Sequence, residues 1–380
     1  MFLALREIRR ARLRFGLLAG AIGLLVFLLL FQLTLLNSLL DAFTGALENQ
    51  SGEIVVYSED ARLSLEGSLV QPDQLEAVAG VDGVAASGPL GVNTFTVTAG
   101  GTQQDAALFG YELDGPGEPT TLTDGRLPER DGEGVAPAAD AEDGYAIGDV
   151  IELAGGAVTI EIVGVADDIQ YSVQPTVFVS WPTYEAASTA VNPNARAVLA
   201  SVVVAQPAEG RDAAEVAEAI DGAVEGVEAV TRQAAVDESP GVTSVSQSFQ
   251  VIFLLLYVVV TLVAGFFFLI VTVQKLDALV LLRAVGAPPG YLVRSLLVQV
   301  GIVAVAGVLL GVGLAVGVLA GVSAAVPSAE LFVIPSFGPT AQAALLVLVL
   351  VVAASAVSVR RVLKADPADA VGKATFGGLG

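Results

Sequence analysis

The sequence predicts an α-helical membrane protein with four transmembrane helices and an α+β domain inserted between the first and second helices. Three observations predict this class. The chain is 54% hydrophobic and 15% charged, with a mean hydropathy of +0.72, which is too apolar for an ordinary soluble protein. Its apolar residues form four long runs, and one polar stretch of about 190 residues separates the first run from the other three. Most acidic side chains fall in that stretch.

The first apolar run follows a short basic segment. Five arginines lie within residues 1–14, directly before the run from Phe15 to about Leu36. That run is long enough to cross a bilayer, and no small-residue cleavage site follows it, which argues against a cleaved signal peptide. We therefore predict an amphipathic lead-in on the inner membrane surface and a first helix that continues to about residue 50.

The polar stretch is rich in Gly and Asp and contains short apolar runs. The pattern predicts strands at 53–58, 94–98, 159–165, 176–179 and 200–204, and helices at 75–78, 183–188 and 213–223. The last helix and its flanking apolar runs form a predicted strand–helix–strand unit. Residues 124–143 carry many Gly, Pro and acidic residues, which favours a loop.

Three further apolar runs follow, at 249–273, 296–322 and 340–359. The middle run carries glycines that predict close helix–helix contact: Gly301, Gly307, Gly311, Gly313, Gly317 and Gly321. The stretch between the last two runs is apolar but is broken by prolines, which favours an outer loop that dips into the interface.

These patterns divide the chain into nine predicted segments. In order they are a cytosolic amphipathic helix (1–14), transmembrane helix 1 with an outer extension (15–50), an extracellular α+β domain (51–243), transmembrane helix 2 (244–273), a cytosolic elbow (274–294), transmembrane helix 3 (295–322), an outer loop (323–339), transmembrane helix 4 (340–360) and a cytosolic tail (361–380).

The distribution of charge predicts the orientation in the membrane. Residues 1–14, 274–294 and 360–380 together carry 12 Lys and Arg but 4 acidic residues, whereas residues 41–248 carry 6 Lys and Arg and 35 acidic residues. The positive-inside rule then places both termini and the elbow in the cytosol and the acidic domain outside. We predict a multi-pass cell-membrane protein whose partners include membrane lipid and exclude nucleic acid.

Three short motifs carry a resemblance to a known family. They are LALREIRRARLRFGLLA near the start, KLDALVLLRAVGAPPGYLVR in the elbow and VRRVLKADPADAVG near the end. Together with one span, a large outer domain and then three spans, they resemble the permease subunits of FtsX/MacB-type (type VII) ABC transporters, whose outer domain is MacB-like. The four-span form and the acidic, Arg-poor outer domain look most like the haem-exporting Hrt-type permeases of Gram-positive bacteria.

The resemblance implies a homodimer that works with two copies of a cytosolic ABC ATPase. Asp277 and Arg283 would face that ATPase, and the turn that enters its cleft would contain Gly286, Ala287, Pro288 and Tyr291. The alternative for Arg283 is that it only anchors a helix end to lipid headgroups. No P-loop motif is present in the sequence, so we expect ATP to be bound by the partner, and the chain itself to have no enzymatic activity and no intrinsic cofactor.

The family resemblance raises haem as a transported substrate, and the composition restricts its ligands. The chain contains no His and no Cys, and its one Met is Met1. Carboxylates and tyrosines remain as candidate axial ligands. The candidate ligand-binding residues are Glu48, Tyr257, Phe43, Gln247 and Phe249. The alternatives are that Glu48 is a solvated helix-end charge and that Tyr257 belongs to an interfacial aromatic belt.

Three functions remain open from the sequence. The first is haem efflux by ATP-driven mechanotransmission, in which the ATPases move the outer domains through the helices. The second is export of another amphipathic ligand, such as a lipid or a peptide antibiotic. The third is an FtsX-like regulator, without transport, of an extracellular hydrolase.

Overall fold

A single long helix leads the chain from its first apolar run into a β-sheet. This helix, α1, spans Arg12–Glu48. The structure is a computed structural model and describes residues 12–153, 155–194, 197–274, 289–325 and 337–363. These residues form two units: an outer unit, Asn37–Gln247, and a span unit made of the remaining described residues. Helix α1 contributes to both units.

The outer unit alternates strands with short helices. Its strands are β1 (Ile54–Ser58), β2 (Val84–Ala99), β3 (Thr102–Tyr111), β4 (Leu122–Gly125), β5 (Glu133–Pro137), β6 (Val150–Leu153), β7 (Val158–Ala166), β8 (Thr176–Ser180), β9 (Val202–Pro207) and β10 (Val227–Thr231). Its helices are α2 (Pro72–Ala79), α3 (Trp181–Val191), α4 (Ala213–Ala223) and α5 (Arg232–Asp237), with 3₁₀ turns at Glu59–Ala61 and Ala138–Asp143. Three further helices follow: α6 (Val242–Gln274), α7 (Pro289–Ala325) and α8 (Phe337–Leu363).

Part of the sheet closes into a ring. The strand order is β10-β1-β9-β2-β3-β8-β5-β7-β4, and β6 pairs with both β2 and β7. Strand β6 therefore completes a ring of β2, β3, β8, β5, β7 and β6. Buried side chains such as Val97, Ile151 and Ile160 form one core cluster inside it. Closure satisfies strand edges that would otherwise be open to pairing with other chains.

The other part of the sheet separates two cores on its two faces. Strand β1 pairs antiparallel with both β9 and β10. Because side chains alternate along a strand, Ile54 and Val56 pack with the helices α2 and α4. Val55 and Tyr57 face the opposite core, which also contains residues from the end of α1.

The α+β class of the outer domain is confirmed. The predicted strand–helix–strand unit is β9, α4 and β10, and the helix has the predicted bounds. The predicted loop at 124–143 is wrong, because it contains β5 and a 3₁₀ turn. Every residue of β5 is buried, so the strand lacks the apolar–polar alternation that marks a half-exposed strand.

An ion-pair cluster around one buried carboxylate organises the region that was predicted to be a loop. Glu133, at the start of β5, is 1% exposed. Its carboxylate accepts hydrogen bonds from Arg126 at 2.6 and 2.7 Å, from Arg130 Nε at 2.7 Å and from the Glu129 backbone amide at 3.0 Å. The Arg126 hydrogen bonds, opposed by burial, lower the pKa of Glu133 to about 2.

The span unit contains three helices that are long and apolar enough to cross a membrane, in α1, α6 and α7. Thr340–Ser355, within α8, is a shorter apolar segment among the described residues. The count of four spans stays a prediction.

Helices α1 and α7 approach closely through glycines, as the glycine pattern predicts. A Cβ at Gly311 would lie 2.6 Å from both Gly23 O and Val26 Cβ, and one at Gly307 would lie 2.7 Å from Ile22 Cβ. The other four glycines of the third run do not share this role, since a Cβ there would meet nothing within 4 Å. They are Gly301, Gly313, Gly317 and Gly321.

We expect Gly311→Ala to destabilise the packing of α1 against α7. The added methyl group overlaps Val26, so the helices must separate at a cost of about 2 kcal/mol. Gly317→Ala, on the same helix in open space, is the matched control and should be neutral or slightly stabilising. Thermal melting of the detergent-solubilised protein by circular dichroism measures both. Equal melting temperatures for the two variants would contradict a tight crossing.

We also expect the outer unit to lose stability in acid through Glu133. Because the folded pKa of about 2 lies below the ordinary value of 4.5, the ionised carboxylate contributes stability above about pH 4.5. That contribution is lost as the pH falls from 4.5 through 2. Glu133→Gln should remove about 2 kcal/mol at neutral pH and flatten this acid dependence.

The single tryptophan of the chain, Trp181, reports on this region. Its neighbour Ser180 donates to Asp131 at 2.6 Å, within the same segment as the ion-pair cluster. Unfolding followed by Trp181 fluorescence between pH 3 and 7 therefore measures the loss of the stability that ionised Glu133 contributes. Glu185→Gln, an exposed acidic residue on α3, is the control. An unchanged acid dependence in Glu133→Gln would refute the assignment.

Candidate functional site at the outer end of the first helix

The last turns of α1 are hydrogen-bonded to the chain between β7 and β8. Ser172 N donates to Phe43 O at 3.2 Å, and Val173 N donates to Ala42 O at 2.8 Å. In the reverse direction, Ala46 N donates to Gln170 O at 3.0 Å. These bonds reach carbonyls five and six residues before the end of α1, so the 170–173 segment lies alongside the last turns of the helix. The helix end is thereby joined to the sheet by main-chain bonds.

Side-chain packing reinforces this junction. Ala46 and Leu47 are 0% exposed and belong to the core that contains β1 and β9. Gly45 lies against the loop so closely that a Cβ there would overlap the carbonyl oxygen of Asp168. Asn49, just after the helix, donates from Nδ2 to the same oxygen at 2.7 Å. A glycine at position 45 is therefore required by close approach.

Five non-glycine residues with left-handed backbone conformations occur among the described residues, and all lie in two loops beside this junction. They are Arg62, Leu63, Asp168, Ser172 and Val173, with φ between 51° and 60°. Such conformations are costly for bulky and β-branched side chains. Strain of this kind persists where surrounding contacts hold it and is common at ligand-binding loops and switch segments.

The two loops, α1 and the start of α6 with the residues before it line a cavity of about 110 Å³ that is partly open to the surface. We call it the junction cavity. Its lining consists of Phe43 and Thr44 of α1, residues 63–66, residues 171–172, and Ser239, Pro240 and Val242. All of these belong to the outer unit. The cavity thus touches both chain segments that connect the outer unit to the spans.

Tyr171 supplies the main aromatic wall of the junction cavity with Phe43. Its ring packs edge-on against Phe109 at 5.4 Å between centroids. Burial, with a further contribution from the Glu66 carboxylate, raises the pKa of Tyr171 to about 12. The phenol therefore stays protonated at neutral pH and is able to donate a hydrogen bond.

The predicted ligand residues have different surroundings, and their role as a ligand site stays a prediction. Glu48 is the last residue of α1 and is exposed, whereas Phe43 is half-buried and lines the junction cavity. Five residues on a helix correspond to a rotation of about 140°, so the two side chains leave α1 on different sides. Gln247 is exposed in the outer unit, and Phe249 and Tyr257 are half-buried residues of the span unit.

Most of the predicted ATPase-coupling residues lie outside the described residues. These are Asp277, Arg283, Gly286, Ala287 and Pro288. Tyr291 lies in the first turn of α7. Their coupling role stays a prediction.

Two residues at this site were missed by the sequence reasoning. Tyr171 follows β7 in a stretch with no motif, and nothing in the sequence links it to Phe43. Asp41 is a half-buried carboxyl on α1, within electrostatic range of Asp168 and Glu48. Asp41 lies five residues after the apolar run, where the helical pattern continues. Ionisable residues close to a span are functional candidates, so this position could have identified Asp41 from the sequence.

Comparison with known families gives the class of this protein. Residues 15–223 match the family model of the MacB-like periplasmic core domain, and residues 250–367 match that of the FtsX-like permease C-terminal domain. The first match covers more than half of the chain. The chain belongs to the MacB/FtsX-type family of ABC transporter permeases, and the predicted resemblance is confirmed.

Individual relatives match over nearly their whole length. An uncharacterized ABC transporter permease of Mycobacterium tuberculosis is 24% identical over 98% of this chain and 99% of its own. A protein of Staphylococcus haemolyticus named as a hemin transport system permease protein, HrtB, is 23% identical over 98% of this chain and 99% of its own. Family membership makes this chain a membrane-bound permease subunit with an outer domain, and it implies an ATPase partner.

Two solved domains are also similar to the outer part of the chain. The periplasmic region of MacB from Actinobacillus actinomycetemcomitans is 9% identical, with a TM-score of 0.35, and the match covers 48% of this chain and 89% of that one. The extracellular domain of the noncanonic ABC-type transporter YknZ from Gram-positive bacteria is 16% identical, with a TM-score of 0.32. That match covers 47% of this chain and 99% of the YknZ domain.

We expect Gly45→Ala to loosen the end of α1 from the outer unit. Alanine normally stabilises a helix relative to glycine by about 1 kcal/mol, but here the methyl group overlaps the Asp168 carbonyl, and the net loss should be about 2 kcal/mol. Gly20→Ala, in the same helix with nothing within 4 Å, is the matched control and should not be destabilising. The measurement is urea unfolding followed by Trp181 fluorescence. A Gly45→Ala protein as stable as Gly20→Ala would disprove the close contact.

Proposed function

We propose that this permease exports an amphipathic ligand from the membrane, with haem as the first candidate, by mechanical transmission through α1. Two copies of the chain would work with two copies of a cytosolic ATPase, with both termini of each chain in the cytosol and four spans per chain. Movement of the ATPases would displace the elbow at 274–294. The helices would carry this movement to the outer domains and change the crevice between the two copies.

One observation supports the transmission step above all others. Helix α1 is continuous over 37 residues, and its last turns are hydrogen-bonded into the sheet of the outer unit. A helix of that length is about 55 Å long, enough to reach from the inner membrane surface into the outer domain. The glycine contacts at Gly307 and Gly311 hold the inner half of α1 against α7.

The case for haem rests on the ligand chemistry of the chain and on one relative. The similar Staphylococcus haemolyticus protein carries the name of a hemin transport permease. In this chain, without His or Cys, a carboxylate such as Glu48 or a phenol such as Tyr257 would ligate the iron. Because Glu48 is exposed at the end of α1, it is accessible to a ligand between two copies, with Gln247 and Phe249 as further candidates.

The charge of the outer region supports a second candidate, the export of a cationic amphiphile. Residues 41–248 carry 35 acidic and 6 basic side chains, and this field disfavours the two propionates of haem while it favours cations. A susceptibility panel on a deletion strain separates the two: hypersensitivity to haem supports the first candidate, and hypersensitivity to cationic amphiphiles alone supports the second.

We expect purified protein to bind haem with a Soret band that depends on Glu48. Glu48→Ala should weaken haem binding about tenfold or more, because loss of even a group that only supports a metal ligand typically costs about 10–100-fold in affinity. Titration by absorption spectroscopy measures the affinity. Glu53→Ala, another exposed carboxylate five residues later, is the control and should bind like the unmodified protein. No Soret band at micromolar haem, or equal effects of both substitutions, would reject haem ligation by Glu48.

A further inference from the structure

The junction cavity is partly open to the surface, and the proposed function assigns it no role. Glu48 is not part of its lining. Its volume of about 110 Å³ lies well below the roughly 300–1,000 Å³ of sites for drug-sized ligands. A cavity of about 150 Å³ holds benzene. The junction cavity therefore excludes haem. It accommodates one small group, and the rest of a ligand the size of a single aromatic ring with its ammonium group would extend through the open side.

The polar groups of the cavity are acceptors that suit a cation. Glu66 contributes a carboxylate, and Ser64, Ser172 and Ser239 contribute hydroxyl groups. No Lys or Arg is among the lining residues. A bound ammonium group, which has three donors and no acceptor, would match this set.

The apolar part of the lining suits the hydrocarbon part of a ligand that carries such an ammonium group. The aromatic rings of Phe43 and Tyr171 lie on the wall with Leu63 and Pro240. Ring faces attract a nearby cation as well as hydrocarbon. The acidic excess of the surrounding domain also raises the local concentration of cations.

The backbone around the cavity is held in strained conformations. Leu63 and Ser172 both line it and both have left-handed φ angles, of 57° and 53°. Such conformations are unfavourable for side chains of these types and persist where surrounding contacts hold them. The two strained loops bring Glu66 and Tyr171 to the same cavity.

We propose that the junction cavity binds a small organic cation, an alkyl- or arylammonium group, between Glu66 and the rings of Phe43 and Tyr171. The wall formed by Ser239, Pro240 and Val242 is the break between α5 and α6, with Gly241 at φ +96°. A bound cation would therefore connect the end of α1 to the start of α6 and restrain that break. This proposal does not depend on haem being the substrate.

The test uses the full chain in nanodiscs of phosphatidylglycerol, a lipid without an amine. Benzylammonium is titrated by calorimetry, with benzyl alcohol and benzoate as neutral and anionic counterparts. We expect benzylammonium to bind most tightly and Glu66→Gln to weaken it about three- to fivefold, the scale of a solvent-exposed ion pair. Glu59→Gln, which removes an exposed acid of the same loop outside the cavity, should leave binding unchanged.

Hydrogen exchange gives a second readout. Benzylammonium should slow exchange of amides around the break, such as Val245 N, which donates to Gly241 O at 2.9 Å. Nanodiscs of phosphatidylethanolamine, whose headgroup carries an amine, separate two sources of the ligand. If the headgroup amine occupies the cavity, benzylammonium binding is lost there, and the site is assigned to the lipid. Unchanged binding assigns the site to a free amine. Both results support the cation site.

Several outcomes would overturn the proposal. These are no binding of benzylammonium in either lipid, equal binding of benzyl alcohol, or an equal effect of Glu66→Gln and Glu59→Gln. Tyr171→Phe keeps the ring that packs on Phe109 and should weaken binding less than Glu66→Gln does. The Soret titration of Glu66→Gln should match that of the unmodified protein, so failure of this site and failure of haem binding are distinguishable.

Discussion

The main-chain hydrogen bonds between the end of α1 and residues 170–173 are the constraint on which the rest of the structure depends. They satisfy Ala42 O and Phe43 O by amides that lie more than a hundred residues further along the chain. Main-chain bonds in both directions, from the loop to α1 and from Ala46 N to Gln170 O, make the helix end and the loop support each other. The outer unit consequently includes the last turns of the first helix as part of its own core.

Other features of the outer unit hold its parts firmly around that junction. The ring formed by six strands encloses its own core, and the Glu133 cluster fixes the segment that leads into β5. In contrast to these well-packed parts, the helix break between α5 and α6 contains Gly241, a residue type whose backbone rotates easily. The junction cavity lies between that break and the fixed end of α1. A shift of the start of α6 relative to the end of α1 would therefore change the lining of the cavity.

Much of the fold could be predicted because it depends on local patterns. Long apolar runs predict span helices, and the run at 213–223 with its flanking strands was assigned with correct helix bounds. Strand β5 was missed because all of its residues are buried and Gly and Pro interrupt it. Strand β3 was also missed; its first half is polar and exposed, and its second half is wholly buried.

The site could be predicted only in part, for a different physical reason. Phe43 was a candidate because it lies on the outer part of α1, but its cavity is formed by four segments distant in sequence. Leu63 and Val173 adopt left-handed conformations that their residue types disfavour, so no turn signal marks these loops. Glu48 and Phe43 were grouped by proximity in sequence, whereas the helical rotation between them places them on different sides.

The central claim is that the end of α1 stays fastened to the outer unit while the transporter works. Hydrogen exchange of the full permease with its ATPase, compared between nucleotide-free and ATP-bound states, tests this most directly. The account predicts that the amides of Ala46, Ser172 and Val173 remain protected to the same degree in both states. Rapid exchange of these amides in either state would show that the junction opens during the cycle, and transmission through α1 would then be excluded.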